Sequence, residues 1–156
     1  MDAGATDATA APDASASGTK LSGTLGALGA AKPTASSLWL STKGGTFLYF
    51  SSAHLTCEQV KTLGWLGTVA AGAQVVEVVT GGAPQVGTLA VPPAEVNYAE
   101  GGKPSTSEVG ATAGTVTFTK AEANGVIEGT FTATFDGGDM LAGTFHAAFC
   151  AGGQDF

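Results

Sequence analysis

The side chains able to do chemistry in this chain are few: two cysteines, two histidines and thirteen carboxylates. Cys57 and Cys150 form no C-x-x-C pair, and with only His54 and His146 beside them a zinc site is not expected. An even cysteine count in a chain of exported character predicts one disulfide. It would close a loop of about 94 residues, worth about 4–5 kcal/mol in the chain-entropy account. The rival use of Cys57 is as a thiolate stabilised at a helix start. His146 is expected on the outward face of the last strand, within reach of a carboxylate such as Glu128 across a hairpin. His54 precedes a short helix, where it can bond a loop carbonyl. Asp136 and Asp139 share a turn with two glycines, yet the ladder of oxygen ligands of a calcium loop is missing, and a turn that needs Asp and Gly explains them. The glutamates at 77, 95, 100, 108 and 122 read as scattered. No G-x-S-x-G, H-E-x-x-H or phosphate-binding loop occurs. The expectation is a non-enzyme without cofactor or metal.

These residues must be held by strands. Leu21–Ala27 (LSGTLGA), Ile127–Ala133 (IEGTFTA) and Leu141–Ala147 (LAGTFHA) share the form aliphatic-x-Gly-Thr-(Leu/Phe)-x-Ala, a period-two pattern for a half-buried strand. The C-terminal third reads as a meander: 114–121, an Asn124-Gly125 turn, 126–135, an Asp136–Asp139 turn and 140–150. There, Ile127, Gly129, Phe131, Ala133 and Phe135 face a core, as do Leu141, Gly143, Phe145, Ala147 and Phe149. Each large ring is expected to fill the space above a neighbour's glycine or alanine. Earlier strands are predicted at 36–42, 46–52, 74–80, 86–92 and 95–100, with Pro92-Pro93 breaking the last two apart. One helix is expected over 56–63, with Thr56 as N-cap and Gly64 as its end.

The middle strands are apolar on both faces: Trp39 opposes Leu38 and Leu40, Phe47 and Tyr49 oppose Leu48 and Phe50, and valines fill both sides of 74–80 apart from Glu77. Such strands are covered on both sides, or offer one side to something else. Cover is expected from the helix and from Leu63, Trp65 and Leu66. The alternative is an apolar ligand groove rimmed by Trp39, Tyr49 and Phe50.

The chain has 156 residues, one domain's worth, and a net charge of −7 from six lysines, no arginine and thirteen acids. Arginine is the preferred two-pronged phosphate ligand, so its absence argues against nucleic acid as a partner, and acidity disfavours anionic membranes. Residues 1–20, rich in Ala, Asp, Thr and Ser with no large apolar side chain beyond Met1, predict a disordered tether; 21–156 predict a single all-β domain. That domain is expected to be an antiparallel β-sandwich or flattened barrel of eight to nine strands with one short helix. A lipocalin- or avidin-like barrel is the second choice, although the lipocalin Gly-x-Trp is absent at Trp39 and Trp65.

The acidic Ala/Asp opening and the Gly-Thr-Phe-x-Ala strands ending in Cys150 resemble small exported bacterial lipoproteins of unknown function. The resemblance implies export to the periplasm or cell surface, with membrane contact only through a lipid anchor where Met1 stands, and brings no assigned activity. Two roles follow as expectations: an envelope interaction module working through a sheet face or edge, or a carrier of a small apolar ligand. A hydrolase whose site is assembled in space is the third.

Overall fold

The computed structural model describes residues 18–151. The expectation for 1–17 lies outside the described residues, whereas Thr19 is buried and Lys20 opens the first strand. Ten strands form one curled, mixed sheet: β1 (Lys20–Gly23), β2 (Ser36–Thr42), β3 (Gly45–Ser51), β4 (Gln74–Thr80), β5 (Gly87–Val91), β6 (Glu95–Glu100), β7 (Val109–Gly110), β8 (Ala113–Ala121), β9 (Ile127–Thr134) and β10 (Met140–Phe149). The spatial order is β5-β8-β9-β10-β2-β3-β4-β6-β7, with β1 paired to β10 off that path. Strands β5 and β6 lie near opposite ends of this order, yet only Pro92, Pro93 and Ala94 separate them in sequence. The sheet therefore has to curl, and it does so as a half-barrel: of the two expected forms, sandwich or flattened barrel, the sandwich of two sheets does not appear.

The expected all-antiparallel pairing also fails at one ladder. The β8–β9–β10 meander needs only tight turns, so its pairs are antiparallel. On the far edge of β10, β1 takes Leu141–Thr144 antiparallel, and β2 takes Ala148 and Phe149 in parallel. This short seam joins the two arms of the sheet. Thr19 buttresses it, its Oγ1 lying 3.0 Å from Ser37 Oγ and accepting from the His146 N–H at 2.9 Å. The Cys57–Cys150 disulfide, 93 residues apart in sequence, closes it where β10 ends.

The Leu-Ser-Gly-Thr copy of the repeated motif does not run on as a strand to Ala27. At Gly23 the backbone turns to φ 113°, and a Cβ there would lie 2.1 Å from the Met140 carbonyl. The chain leaves β10 at that point, into a 3-10 turn over Gly26–Leu28. The other two copies behave as their alternation predicts. Phe145 faces Gly129 and Phe131 faces Gly143. A Cβ at Gly129 would come within 2.7 Å of the Phe145 ring and 2.0 Å of the Thr117 carbonyl.

The concave face is filled by Trp39, Leu48, Phe50, Val76, Phe118, Phe131, Phe135 and Phe145, all buried. The convex face differs between the arms. Over β2, β3, β4 and β6 lies a second core of Leu38, Leu40, Tyr49, Val75 and Ala99, covered by Leu55, Val60, Trp65, Leu66 and Val69. Helix α1 (Cys57–Val60) is shorter than the expected 56–63, although Thr56 caps it as the sequence implies: Thr56 Oγ1 accepts from the Gln59 N–H at 3.1 Å and the Gln59 side chain returns to the Thr56 N–H at 2.9 Å. The chain then turns so that Trp65 and Leu66, in a 3-10 turn, can press on the sheet. Leu63 takes no part in the cover and is 88% exposed. Over β8 and β9 the convex face carries threonines, several paired through hydroxyls, as Thr115 and Thr132 are at 3.2 Å.

Candidate functional site

Trp39, Tyr49 and Phe50 are all buried, and they do not rim one groove. Trp39 lies on the concave side, its Nε1 donating to the Gly125 carbonyl at 2.7 Å and its ring 4.7 Å from that of Phe149. Phe50 stacks at 6.1 Å on Phe131 and 5.5 Å on Phe145. Tyr49 points to the opposite face and meets Trp65 edge-on at 4.9 Å. Alternation along β3 separates Tyr49 from Phe50, and the curl of the sheet closes over Trp39 and Phe50.

His146 and Glu128 are register partners on β10 and β9, with Nδ1 and Oε2 2.8 Å apart. Both side chains keep about two-fifths of their surface in solvent, so the pair is a surface contact worth about 0–1 kcal/mol. Thr19, itself bonded to Ser37, meets the backbone of His146, and the His146 ring is turned to Glu128. His54 is exposed ahead of α1. Asp139 Oδ1 accepts from Thr24 Oγ1 at 3.1 Å, which ties the last turn to the end of β1.

Sequence reasoning missed a carboxyl cluster. Tyr49, Glu77 and Asn97 form one row across β3, β4 and β6 on the convex face. Glu108, at the end of the 3-10 turn Ser105–Ser107, brings its carboxyl into hydrogen-bonding contact with Glu77. Two carboxylates offer no proton to share, so one of the pair must hold one. Burial is the main cause, followed by the negative charge of Glu108, and together they push Glu77 up to about 8. Asn97 Nδ2 pulls the other way, donating to Glu77 Oε1 at 3.4 Å. Burial raises Glu108 as well, and it drives the Tyr49 phenol far above its usual range with help from both acids. The pair therefore holds on to a proton well above the usual carboxylate range, with burial and the Glu108 charge favouring the neutral form of Glu77. The signal in the sequence was its position: one acid inside a valine run. Among the described residues, no three His, Cys, Asp or Glu side chains are grouped to hold a metal ion.

The second feature is the β5 edge. On the sheet path β5 pairs only with β8, so one side of its backbone has no strand partner among the described residues. Leu89 pairs with the fully buried Val116, which places it on the concave face, yet it remains 40% exposed. Val86, just before the strand, is 68% exposed. Gly87 is the register partner of Phe118, has φ 141°, and leaves open space where a Cβ would be. The result is a cavity of about 280 Å³ beside the edge, lined by Thr80, Gly81, Gly82, Val86, Leu89 and Phe118 among others. Residues 78–94 contain no ionisable side chain. Natural edge strands are commonly blunted by lysine, by inward charge or by an internal proline, and β5 has none of these.

No family model matches this chain, and neither a curated protein nor a solved structure matches it.

Proposed function

We propose that this protein is a non-catalytic, exported cell-envelope module that binds a partner through the open edge of β5. The observation that carries the reading is that edge: the side of Gly87–Val91 turned away from β8 has no strand partner among the described residues and carries no charge, with Leu89 exposed within it and Val86 exposed just before it. Main-chain hydrogen bonds at a free edge supply affinity, and pockets for alternate side chains supply specificity. The disulfide fits an oxidising compartment outside the cytosol. The carrier reading has less to stand on. The concave face is packed with aromatic side chains, the cavity beside β5 is only about 280 Å³, and the hollow of about 450 Å³ between Lys32, Pro33 and Ala70–Ala73 is shallow and open to solvent, unlike the enclosed sites that small molecules use.

A photo-crosslinking residue placed at Leu89, with a second at Thr132 on the convex threonine face as control, tests the proposal in envelope preparations of the source organism. Adducts of defined mass from position 89 alone are expected. Adducts from neither position, or equally from both, would remove the edge as the binding surface.

A further inference from the structure

The cavity beside β5 says what kind of partner fits, and this step rests on the edge reading above. We infer that the occupant of the edge is an extended, uncharged polypeptide strand of another protein, which places one apolar side chain against Leu89 in the cavity that the buried Phe118 helps to line.

Several observations converge on that chemistry. Leu89 faces the concave side through its pairing with Val116, and it stays partly uncovered because no strand lies beyond it among the described residues. Gly87, the register partner of the buried Phe118, leaves open space where a Cβ would be. A strand added to β5 alternates its side chains across the two faces, so every second one enters the concave side between Leu89 and the Gly81-Gly82 turn. The space available, about 280 Å³, admits one or two side chains of valine or leucine size. Charge decides the rest. The cavity wall and edge between residues 78 and 94 offer no counter-ion to a lysine or a glutamate, and a charge brought there would lose water without gaining a partner. A free strand meets the edge better than a helix does, since only an extended backbone presents donors and acceptors at the spacing of the β5 amides.

The test uses three synthetic ten-residue peptides: one alternating valine and threonine, one alternating valine and glutamate, and the first with a central proline. Each is titrated to about 1 mM against the intact, oxidised protein, and amide exchange and shifts are followed by NMR. The valine–threonine peptide alone should slow exchange at β5 and shift Phe118, and Leu89→Lys should abolish both effects. Should Leu89→Lys fail to fold, Val86→Lys at the more exposed position serves in its place. No protection at β5, or equal protection by the glutamate or proline peptides, overturns the inference. Shifts at Phe118 without β5 protection would mean a small apolar ligand instead. Protection that grows with protein concentration and no peptide would mean a second copy of this chain. A crosslink at position 89 combined with peptide failure would leave the edge reading standing and reject only the neutral-strand partner.

Discussion

Replacing Glu77 with glutamine should make the protein more stable at alkaline pH and leave it unchanged in mild acid. In the fold, burial and the neighbouring Glu108 hold the Glu77 carboxyl at about 8, against 4.5 in an unperturbed chain. A carboxyl raised on folding contributes stability that is complete below the unfolded value and is lost as pH climbs to the folded one. The loss therefore runs from about pH 4.5 to about pH 8. If Glu77 alone carried the displacement, the full loss would be about 5 kcal/mol. Glu108 shares the proton and Glu77 is not wholly enclosed, so about 2–3 kcal/mol is the figure expected of the intact pair. For a chain of this size that is about 4–12 °C in Tm. Thermal unfolding followed by circular dichroism at pH 5 and pH 9 gives the assay. The wild type should melt lower at pH 9 by that interval. Glu77→Gln keeps the shape and the capacity to donate to Glu108 and does not titrate, so its two melting temperatures should lie much closer together. Because the titrating groups outside the pair are common to both proteins, the difference between them reports on the Glu77–Glu108 pair. A wild type as stable at pH 9 as at pH 5, with Glu77→Gln tracking it at both, would refute the shared-proton pair.

The remaining predictions concern the seam and the core. Cys57→Ser should lower stability by up to about 4–5 kcal/mol, and a reductant should produce the same fall in the wild type and none in the variant. Phe131, buried between Phe50 and Gly143, should cost about 3–5 kcal/mol on change to alanine; its neighbour Thr132, exposed on the convex face, should cost within about 0.5 kcal/mol. Chemical denaturation of the two variants checks the register directly, since equal effects would reverse the faces. Gly129→Ala should destabilise by about 1–3 kcal/mol although it adds only a methyl group, because that methyl meets the Phe145 ring and the Thr117 carbonyl.

The parts of this fold that were legible in the sequence are those fixed by local alternation. The β8–β10 meander, the Phe-over-Gly packing, the Asn124 turn with its φ of 58° and the Thr56 cap all depend on residues close together in the chain or one strand apart. The closeness of His146 to Glu128 followed from the same register. What escaped depends on which distant edges meet. Nothing local says that β2 will join β10 in parallel, or that two strands three residues apart will end on opposite sides of a curled sheet. The apolar faces of β2 and β3 were recognised, and the curl decided that Trp39 and Phe50 would be core rather than groove. Glu77, Asn97 and Glu108 sit on three separate segments, and only the β4–β6–β7 pairing unites them. The β5 edge escaped for a related reason: its sequence is that of a strand, and its lack of a second neighbour among the described residues is a property of the whole sheet.

Hydrogen exchange measured on the free protein and on the protein bound in its own cell envelope tests the central claim most directly. Edge amides with no partner exchange quickly, and strand addition protects them. The account predicts slowing concentrated in Gly87–Val91, with the threonine face of β8 and β9 unchanged. Slowing elsewhere with β5 unaffected would contradict it.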